Sequence, residues 1–187
     1  MLQFNKKRGG EKMSDKTSIG IEIERKYIIK MPDLATLTSQ NSYTASDILQ
    51  IYLPAQQGET RRIRRRSYPD KTIFIETKKI RLDNMSSTEI ERELGEEEFS
   101  TLAQTILKGT RPIEKTRHTF IYLGQTFEID VYPDWKCTAI METELPSRET
   151  EVKMPKFLEI IREVTGDKAY SNASMSKSFP KEETQSN

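Results

Sequence analysis

The sequence has very little of the chemistry on which several enzyme classes depend. Its one cysteine, Cys137, excludes an internal disulfide and fits a reducing compartment, so we expect a cytoplasmic protein. Its one histidine, His118, argues against a zinc site or a mechanism with several histidines. No run of about 18 apolar residues predicts a membrane span. No glycine-rich phosphate loop is visible either, which excludes a P-loop enzyme.

Net charge is also nearly absent. The 187 residues include 30 basic and 29 acidic ones, for a net charge of +1, so the chain as a whole has no general attraction to nucleic acid or to a membrane surface. Charged residues make up 32% and hydrophobic residues 34% of the chain, which is polar for a packed domain. This composition is explained if many charged side chains line a polar cavity instead of facing solvent.

The two ends of the chain differ in composition from the middle. Residues 1–18 are basic and lack the apolar core of a secretory signal, so we expect a disordered tail, with Met13 as an alternative start. Residues 179–187 are polar and charged, which also predicts disorder. A single domain is therefore expected over residues 19–178, and its length is sufficient for one hydrophobic core.

The ordered part opens on a segment in which charged and apolar residues alternate. Glu22, Glu24 and Lys26 occupy one phase, and Ile21, Ile23 and Tyr27 fall in the other. Successive side chains of a strand point to opposite faces, so this pattern predicts two carboxylates and an ammonium group in one row. The simple alternative is an edge strand whose charged face is solvated.

The same alternation recurs along the chain, in rows of like charge. The acidic residues in such rows are Glu22, Glu24, Glu89, Glu91, Asp130, Glu142 and Glu144. The basic residues are Lys26, Arg62, Arg64, Lys78, Lys115 and Arg117, and a loop adds Lys168. If these rows face inward, the interior must be wet, ion-paired or filled by a charged ligand, because buried unpaired charge is very costly. The bases suit an oligophosphate, and the paired carboxylates suit Mg²⁺ or Mn²⁺.

The predicted elements are mostly strands joined as hairpins. Strands are expected at 21–29, 47–53, 60–66, 71–78, 89–94, 113–122, 126–132 and 139–145, helices at 34–37, 96–108 and 155–164, and a polar loop at 81–88. A largely antiparallel sheet of this size closes most simply as a barrel. The alternative for the charged rows is that they all point outward from a sheet with an apolar interior.

Taken together, these motifs resemble the CYTH superfamily, the triphosphate tunnel metalloenzymes, and in particular its small bacterial inorganic triphosphatases. The resemblance covers about residues 19–175. It is carried by Glu22-x-Glu24-x-Lys26, Gln50-x-Tyr52-Leu53, Arg62-x-Arg64, Thr77-Lys78, Glu89-x-Glu91, Glu114-Lys115-Thr116-Arg117, Phe127-Glu128-Ile129-Asp130-Val131, Glu142-x-Glu144 and Glu163-Val164-Thr165-Gly166-Asp167-Lys168-x-Tyr170.

The resemblance implies an α+β fold, an eight-stranded antiparallel β-barrel that forms a tunnel, with helices packed on the outside. It also implies a role for each charged row. Phosphate would be bound by Lys26, Arg62, Arg64, Lys78, Lys115, Arg117 and Lys168. The metal, Mg²⁺ or Mn²⁺, would be bound by Glu22, Glu24, Glu89, Glu91, Asp130, Glu142 and Glu144. Glu22, Glu24 and Lys26 would form the catalytic centre.

The implied reaction is the hydrolysis of a triphosphate, most plausibly inorganic triphosphate, by a metal-activated water. Thiamine or nucleoside triphosphate hydrolysis, class IV adenylate cyclisation and a non-catalytic polyphosphate- or nucleotide-binding module stay open as alternatives. Trp135 is the one side chain considered for stacking on a base, with packing as its more ordinary role. The expected partner is a small triphosphate-containing substrate, without nucleic acid or membrane. The sequence does not decide the oligomeric state, and a homodimer stays open.

Overall fold

The computed structural model describes residues 17–183, and strands dominate this part of the chain. The strands are β1 (Thr17–Lys30), β2 (Asn41–Leu53), β3 (Glu59–Ser67), β4 (Thr72–Arg81), β5 (Ser86–Glu93), β6 (Ile113–Tyr122), β7 (Gln125–Val131), β8 (Thr138–Glu144) and β9 (Ile160–Glu163). The helices are α1 (Leu34–Thr38), α2 (Glu96–Ala103) and α3 (Asn172–Met175), with a 3₁₀ turn at Lys168–Tyr170. In this part of the chain, no helix is long and apolar enough to cross a membrane.

Eight of the strands form a closed antiparallel barrel, which confirms the predicted fold class. The order around the barrel is β5-β4-β3-β2-β6-β7-β8-β1, and pairing of β1 with β5 closes it. The long strand β1 makes this closure possible because its two halves have different partners. Residues 17–23 pair with β5, and residues 24–30 pair with β8. The short strand β9 adds to β1 beside Tyr27–Ile29.

The apolar side chains of the barrel lie mainly on its outer face. Around Tyr27, Ile29, Phe120 and Met141, the wall is covered by α1 and by the segment before β9. Around Ile51 and Ile63, it is covered by α2 through Phe99. Because the outward phase of each strand supplies this hydrophobic core, the inward phase is left to polar and charged side chains.

One end of the barrel is closed by a third apolar cluster, which we call the end plug. It consists of Ile28, Ile113, Tyr132, Trp135, Ile140, Val164, Tyr170 and Met175, with Ile161 and Phe179 packed against it. Ile28 of β1, Ile113 of β6 and Ile140 of β8 thus meet the C-terminal segment there. The charged interior is therefore bounded on this side by a packed hydrophobic layer.

The prediction of a helix at 155–164 is wrong. Residues 160–163 form β9, whose neighbours bond to the open edge of β1: the Val164 N–H donates to the Lys26 carbonyl (2.8 Å), and the Lys30 N–H donates to the Glu159 carbonyl (2.9 Å). An unpaired strand edge leaves backbone donors and acceptors to be satisfied, and this requirement outweighs the helical spacing of the apolar residues.

Other boundaries also differ from the sequence-based expectation, and β2 begins at Asn41 instead of residue 47. The predicted loop at 81–88 is strand except for residues 82–85, where the Asp83 carboxylate accepts hydrogen bonds from the Met85 and Ser86 N–H groups and forms a tight turn. Helix α2 ends at Ala103, well before residue 108, and the Leu107 N–H donates to the Tyr52 carbonyl. Helix 34–37 and strand 113–122 are confirmed.

The predicted tails fall partly outside the described residues. Residues 1–16 and 184–187 lie there. Thr17 and Ser18, assigned to the N-terminal tail by the sequence, begin β1 and pair with β5. Residues 179–183, assigned to the C-terminal tail, contact the domain: the ring of Phe179 lies 5.4 Å from that of Trp135, and the Trp135 indole N–H donates to the Pro180 carbonyl (3.1 Å).

Candidate functional site

The barrel encloses a cavity of about 1080 Å³. Most of the predicted site residues line it, as the alternation of the strands requires. Those lining residues are Glu22, Glu24, Lys26, Arg62, Arg64, Glu91, Lys115, Arg117, Glu142, Glu144 and Lys168. Five strands, β1, β3, β5, β6 and β8, thus bring together residues that are far apart in the sequence, and the 3₁₀ turn supplies the exposed Lys168 at the edge.

Two further predicted residues, Glu89 and Asp130, are buried within the barrel wall beside the cavity, at 4% and 0% exposure. Glu89 pairs with Lys79 (2.6 Å) and with Arg62 (3.5 Å). Asp130 pairs with two cations of β6, as described below. Both carboxylates therefore neutralise the cations of the tunnel.

The expectation that Lys78 faces the tunnel is wrong. Thr77 donates to Glu91 (2.8 Å) on the inner side, and Lys79 contacts Glu22 (3.4 Å) there. Lys78, between them in β4, is exposed on the outer face. Strand alternation allows only one of two consecutive lysines to face inward, and the register with β3, in which Arg62 lies opposite Thr77, selects Lys79.

The cations of β6 are held by a dense carboxylate network. Arg117 binds Asp130 in a bidentate manner, with Nε–Oδ1 and Nη2–Oδ2 distances of 2.6 and 2.7 Å. It also donates to Glu142 (2.8 Å) and contacts Glu128. Such planar fork-to-fork pairs fix the guanidinium more firmly than a lysine could be fixed. Burial raises the pKa of Asp130, but Arg117 and Lys115 outweigh this effect and hold it below its usual range.

Lys115 is the cation of this network whose pKa is lowered. Its Nζ lies 2.5 Å from Asp130 Oδ2, and its side chain is 2% exposed. Burial, followed by the positive charge of Arg117, lowers the pKa of Lys115 to about 8, although Asp130 and Glu142 act in the opposite direction. This amine therefore changes its charge close to neutral pH.

Lys26, on β1, lies between two carboxylates and shares one of them, Glu142, with Arg117. Its Nζ is 2.7 Å from Glu142 and 3.8 Å from Glu24. Burial alone would lower the pKa of Lys26, but Glu142 and Glu24 outweigh it and raise the pKa. Lys26 therefore stays cationic at the junction between the acidic and the basic residues.

The arginines of β3 are crowded by charges of the same sign. Arg64 binds Glu91 (2.5 Å), yet burial and the nearby Arg62 and Arg117 lower the pKa of Arg64 to about 10. Within residues 17–183, no acceptor meets the buried Nε of Arg62 or of Arg64. Buried donors without acceptors are costly, so this part of the tunnel is suited to an additional anion.

Acidic side chains of β1, β5 and β8 also lie close to one another. Burial, and then the charge of Glu89, raises the pKa of Glu22 to about 7, although Lys79 acts in the opposite direction. Burial and the charges of Glu128, Glu24 and Glu89 raise the pKa of Glu144. Mutual repulsion of this kind is relieved by a proton or by a hard cation. Among the described residues, however, no three such side chains converge closely enough to bind one ion, and Lys79 bridges Glu22 and Glu89.

The structure adds six cavity-lining charged residues that the predicted site lacks: Glu59, Arg66, Lys79, Arg81, Glu128 and Asp167. Strand alternation could have identified two of them, because Arg66 continues the row of Arg62 and Arg64, and Glu128 alternates with Asp130 in β7. For Lys79 and Arg81, the inward phase depends on the register of the hairpin formed by β3 and β4.

His118 and Trp135 both have packing roles, which for Trp135 is the more ordinary role that the sequence suggested. His118 lies on the outer face, where its Nδ1 and the Tyr43 hydroxyl are 2.9 Å apart. Trp135 is 3% exposed within the end plug, so its ring is not available for stacking on a base in the cavity.

No protein-family model and no curated protein matches the chain. Several solved structures do match it. The crystal structure of the inorganic triphosphatase NE1496 is 27% identical and covers 86% of this chain and 97% of its own, with a TM-score of 0.56. A second crystal structure of NE1496, described as a hypothetical protein, has the same identity and a TM-score of 0.54, covering 85% and 99% of the two chains.

An archaeal structure shares the fold at lower identity. PH1819 from Pyrococcus horikoshii OT3 is 21% identical, with a TM-score of 0.51 over 68% of this chain and 80% of its own. The closed eight-stranded barrel, its inward charged rows and the likeness to NE1496 agree with the motifs of the sequence. The chain therefore shares its fold with these structures, and its motifs resemble those of the CYTH superfamily of triphosphate tunnel enzymes.

Proposed function

We propose that this protein hydrolyses inorganic triphosphate in the charged tunnel, with Mg²⁺ or Mn²⁺ as its cofactor. The observation that carries the proposal is the crowding of Arg62, Arg64 and Arg117, where two buried Nε donors have no acceptor within residues 17–183. A chain of phosphate groups would supply both the negative charge and the acceptors. The inorganic triphosphatase activity of NE1496, at 27% identity, supports this choice of substrate class.

The basic residues would bind the phosphates in place of some of their present carboxylate partners. In the structure, the cavity cations are paired with carboxylates: Lys26 with Glu142, Arg64 with Glu91, and Lys115 with Asp130. An incoming polyanion can take over part of these contacts without exposing the cations to water. Positioning and charge stabilisation are the main contributions that a protein makes to phosphoryl transfer.

The carboxylates of β1, β5 and β8 fit a divalent cation by their chemistry. Glu22, Glu24 and Glu144, with Glu89 behind them, would hold Mg²⁺ or Mn²⁺, since both ions prefer oxygen ligands. When bound, such an ion polarises phosphoryl oxygens and lowers the pKa of water. The raised pKa of Glu22 and of Glu144 supports this assignment, because burial and the neighbouring carboxylates disfavour their charged forms more than the nearby Lys79 and Arg117 favour them.

Lys26 would connect the acidic and the basic residues of the site. It stays cationic between Glu24 and Glu142, so it can stabilise negative charge on the phosphoryl group that is transferred. The end plug would exclude water from one side of the bound substrate. This position of Lys26 supports the proposal that Glu22, Glu24 and Lys26 form the catalytic centre.

The test is phosphate release from inorganic triphosphate, ATP and thiamine triphosphate with Mg²⁺ or Mn²⁺, together with an assay for cyclic AMP. We expect rapid metal-dependent hydrolysis of inorganic triphosphate and much slower release from the other two. Cyclic AMP with pyrophosphate would instead identify a cyclase. Tight binding without turnover of any substrate would identify a binding module.

Two variants make this test specific to the tunnel. Glu24→Gln removes a carboxylate of the cavity and should abolish metal-dependent turnover while the protein remains folded. Glu93→Gln removes an exposed carboxylate at the end of β5 and should leave the kinetics unchanged. Unchanged turnover in a folded Glu24→Gln protein would refute the role of that residue.

A further inference from the structure

The basic row of β3 is longer than the predicted site. Arg62, Arg64 and Arg66 alternate along the strand, and all three line the cavity. With a rise of about 3.3 Å per residue, alternate residues of a strand stand roughly 6.6 Å apart, so Arg66 extends the row by one step. This step lies on the side away from the end plug.

Arg66 differs from its two neighbours in its charge environment. Arg62 pairs with Glu89 and Arg64 pairs with Glu91. In the part of the chain that the structure describes, no carboxylate forms an ion pair with Arg66. Its positive charge is therefore not neutralised by the protein, although it faces a cavity that is suited to an anion.

The guanidinium of Arg66 is nevertheless held in position. Its Nε donates to the hydroxyl of the buried Ser46 (2.8 Å), and its Cζ lies 5.1 Å from the centre of the Tyr68 ring. Neither contact neutralises the positive charge of Arg66, and the N–H donors on the other edge of the guanidinium can still bind an anion. A preorganised side chain of this kind loses little conformational entropy when it binds an anion.

The position of Arg66 is continuous with the rest of the basic row. Its anchor, Ser46, lies opposite Arg117 in the pairing of β2 with β6. The cavity, at about 1080 Å³, is at the upper end of the roughly 300–1,000 Å³ that is typical of ligand pockets, so it has room for more than a compact ligand. A linear anion bound at Arg64 and Arg117 could therefore extend to Arg66.

We infer that Arg66 forms a subsite for a fourth phosphoryl group. This inference rests on the proposed function, because it requires that a phosphate chain lies along Arg62 and Arg64. The tunnel would then bind linear inorganic oligophosphates of four or more phosphoryl groups more tightly than triphosphate, and Arg66 would determine this preference for length.

The test measures equilibrium binding without catalysis. Isothermal titration calorimetry with EDTA present, so that no metal-dependent hydrolysis occurs, gives the Kd of inorganic triphosphate, inorganic tetraphosphate and ATP for each protein. For the wild type, we expect tetraphosphate to bind about tenfold more tightly than triphosphate, since a charge-assisted hydrogen bond contributes a factor of this order. Arg66→Gln should remove this difference and change the Kd of triphosphate by less than about twofold.

The matched control is Arg65→Gln, because Arg65 is the adjacent arginine and is exposed on the outer face. It should leave all three Kd values unchanged. Ser46→Ala keeps the charge of Arg66 but removes its anchor, so it should reduce the preference for tetraphosphate in part. Each protein is first checked by circular dichroism to be folded.

Three results would overturn the inference. The first is equal binding of triphosphate and tetraphosphate by the wild type, and the second is an equal loss for both ligands in Arg66→Gln. The third is a selective loss of ATP, which would assign Arg66 to the nucleoside. If triphosphate bound to none of the proteins, the proposed function itself would fail, and the subsite with it.

Discussion

Lys78 and Lys79 are consecutive residues of β4, and their side chains lie on opposite faces of the barrel wall. Lys79 Nζ is 2.6 Å from Glu89 and 3.4 Å from Glu22, whereas Lys78 is exposed on the outside. The pair therefore offers an internal comparison between a tunnel cation and a surface cation of the same chemistry.

We expect Lys79→Ala to reduce kcat/KM for inorganic triphosphate by at least about tenfold, because it leaves buried Glu89 with less compensating charge and removes a cation of the tunnel. Lys78→Ala should change kcat/KM by less than about twofold. Steady-state phosphate release at a fixed Mg²⁺ concentration measures both variants. A greater loss in Lys78→Ala than in Lys79→Ala would contradict the inward assignment of Lys79.

The same pair shows what limits prediction from the sequence. Period-two alternation placed Glu22, Glu24 and Lys26 on the inner face, because that pattern is a direct consequence of strand geometry. It could not decide between two consecutive lysines without the register of the hairpin. That register depends on where the turn at residues 68–71 closes, which local composition does not specify.

The helix expected at 155–164 failed for a different reason. Its apolar spacing is compatible with a helix, but residues 160–163 are required at the edge of β1, more than 130 positions earlier in the chain. Edge pairing is a property of the assembled barrel, so no local pattern reports it. The tail expected from residue 179 was misleading in a similar way, because Phe179 packs against Trp135 only once the end plug exists.

The decrease of kcat/KM at alkaline pH should reflect the deprotonation of Lys115. Its pKa is lowered to about 8, so the amine is cationic below this pH and neutral above it. An anionic substrate needs the cationic form, and kcat/KM should therefore fall as the pH rises through about 8. Lys115→Arg keeps the positive charge over this range, since arginine is not deprotonated.

Measurement of kcat/KM between about pH 6.5 and 9.5, at constant free Mg²⁺, tests this assignment. We expect the fall near pH 8 to disappear in Lys115→Arg, even if the absolute rate is lower. The same midpoint in a folded Lys115→Arg protein would mean that another group titrates there.

Divalent cations should stabilise the fold in a pH-dependent manner through Glu22. Its folded-state pKa of about 7 is raised above the ordinary value of 4.5, so the native state binds the proton more tightly than the unfolded chain does. Stability from this group is complete below about pH 4.5 and is lost as the pH rises through about 7. A bound cation would replace the proton, so Mg²⁺ should raise Tm more at pH 8 than at pH 6.

Differential scanning fluorimetry with Mg²⁺ or with EDTA, at matched ionic strength, measures this difference. Glu22→Gln should weaken the Mg²⁺-dependent increase at pH 8, because it removes both the titrating group and a ligand. Glu93→Gln, on the surface, should behave as the wild type. An equal effect of Mg²⁺ at the two pH values in the wild type would argue against Glu22 as the titrating ligand.

The last prediction concerns the residues that follow the end plug. Phe179 packs against Tyr132 and Trp135 with ring centres 5.3 and 5.4 Å apart, and Pro180 accepts the hydrogen bond of the Trp135 indole. A chain that ends at Ser178 loses these contacts, so its free energy of unfolding should fall by about 2–4 kcal/mol. A chain that ends at Glu183 should unfold like the full-length protein.

Urea denaturation followed by tryptophan fluorescence measures the free energy of unfolding of both truncated chains, because Trp135 is the only tryptophan. Equal midpoints for the two truncated chains would mean that residues 179–183 contribute nothing to the stability of the domain.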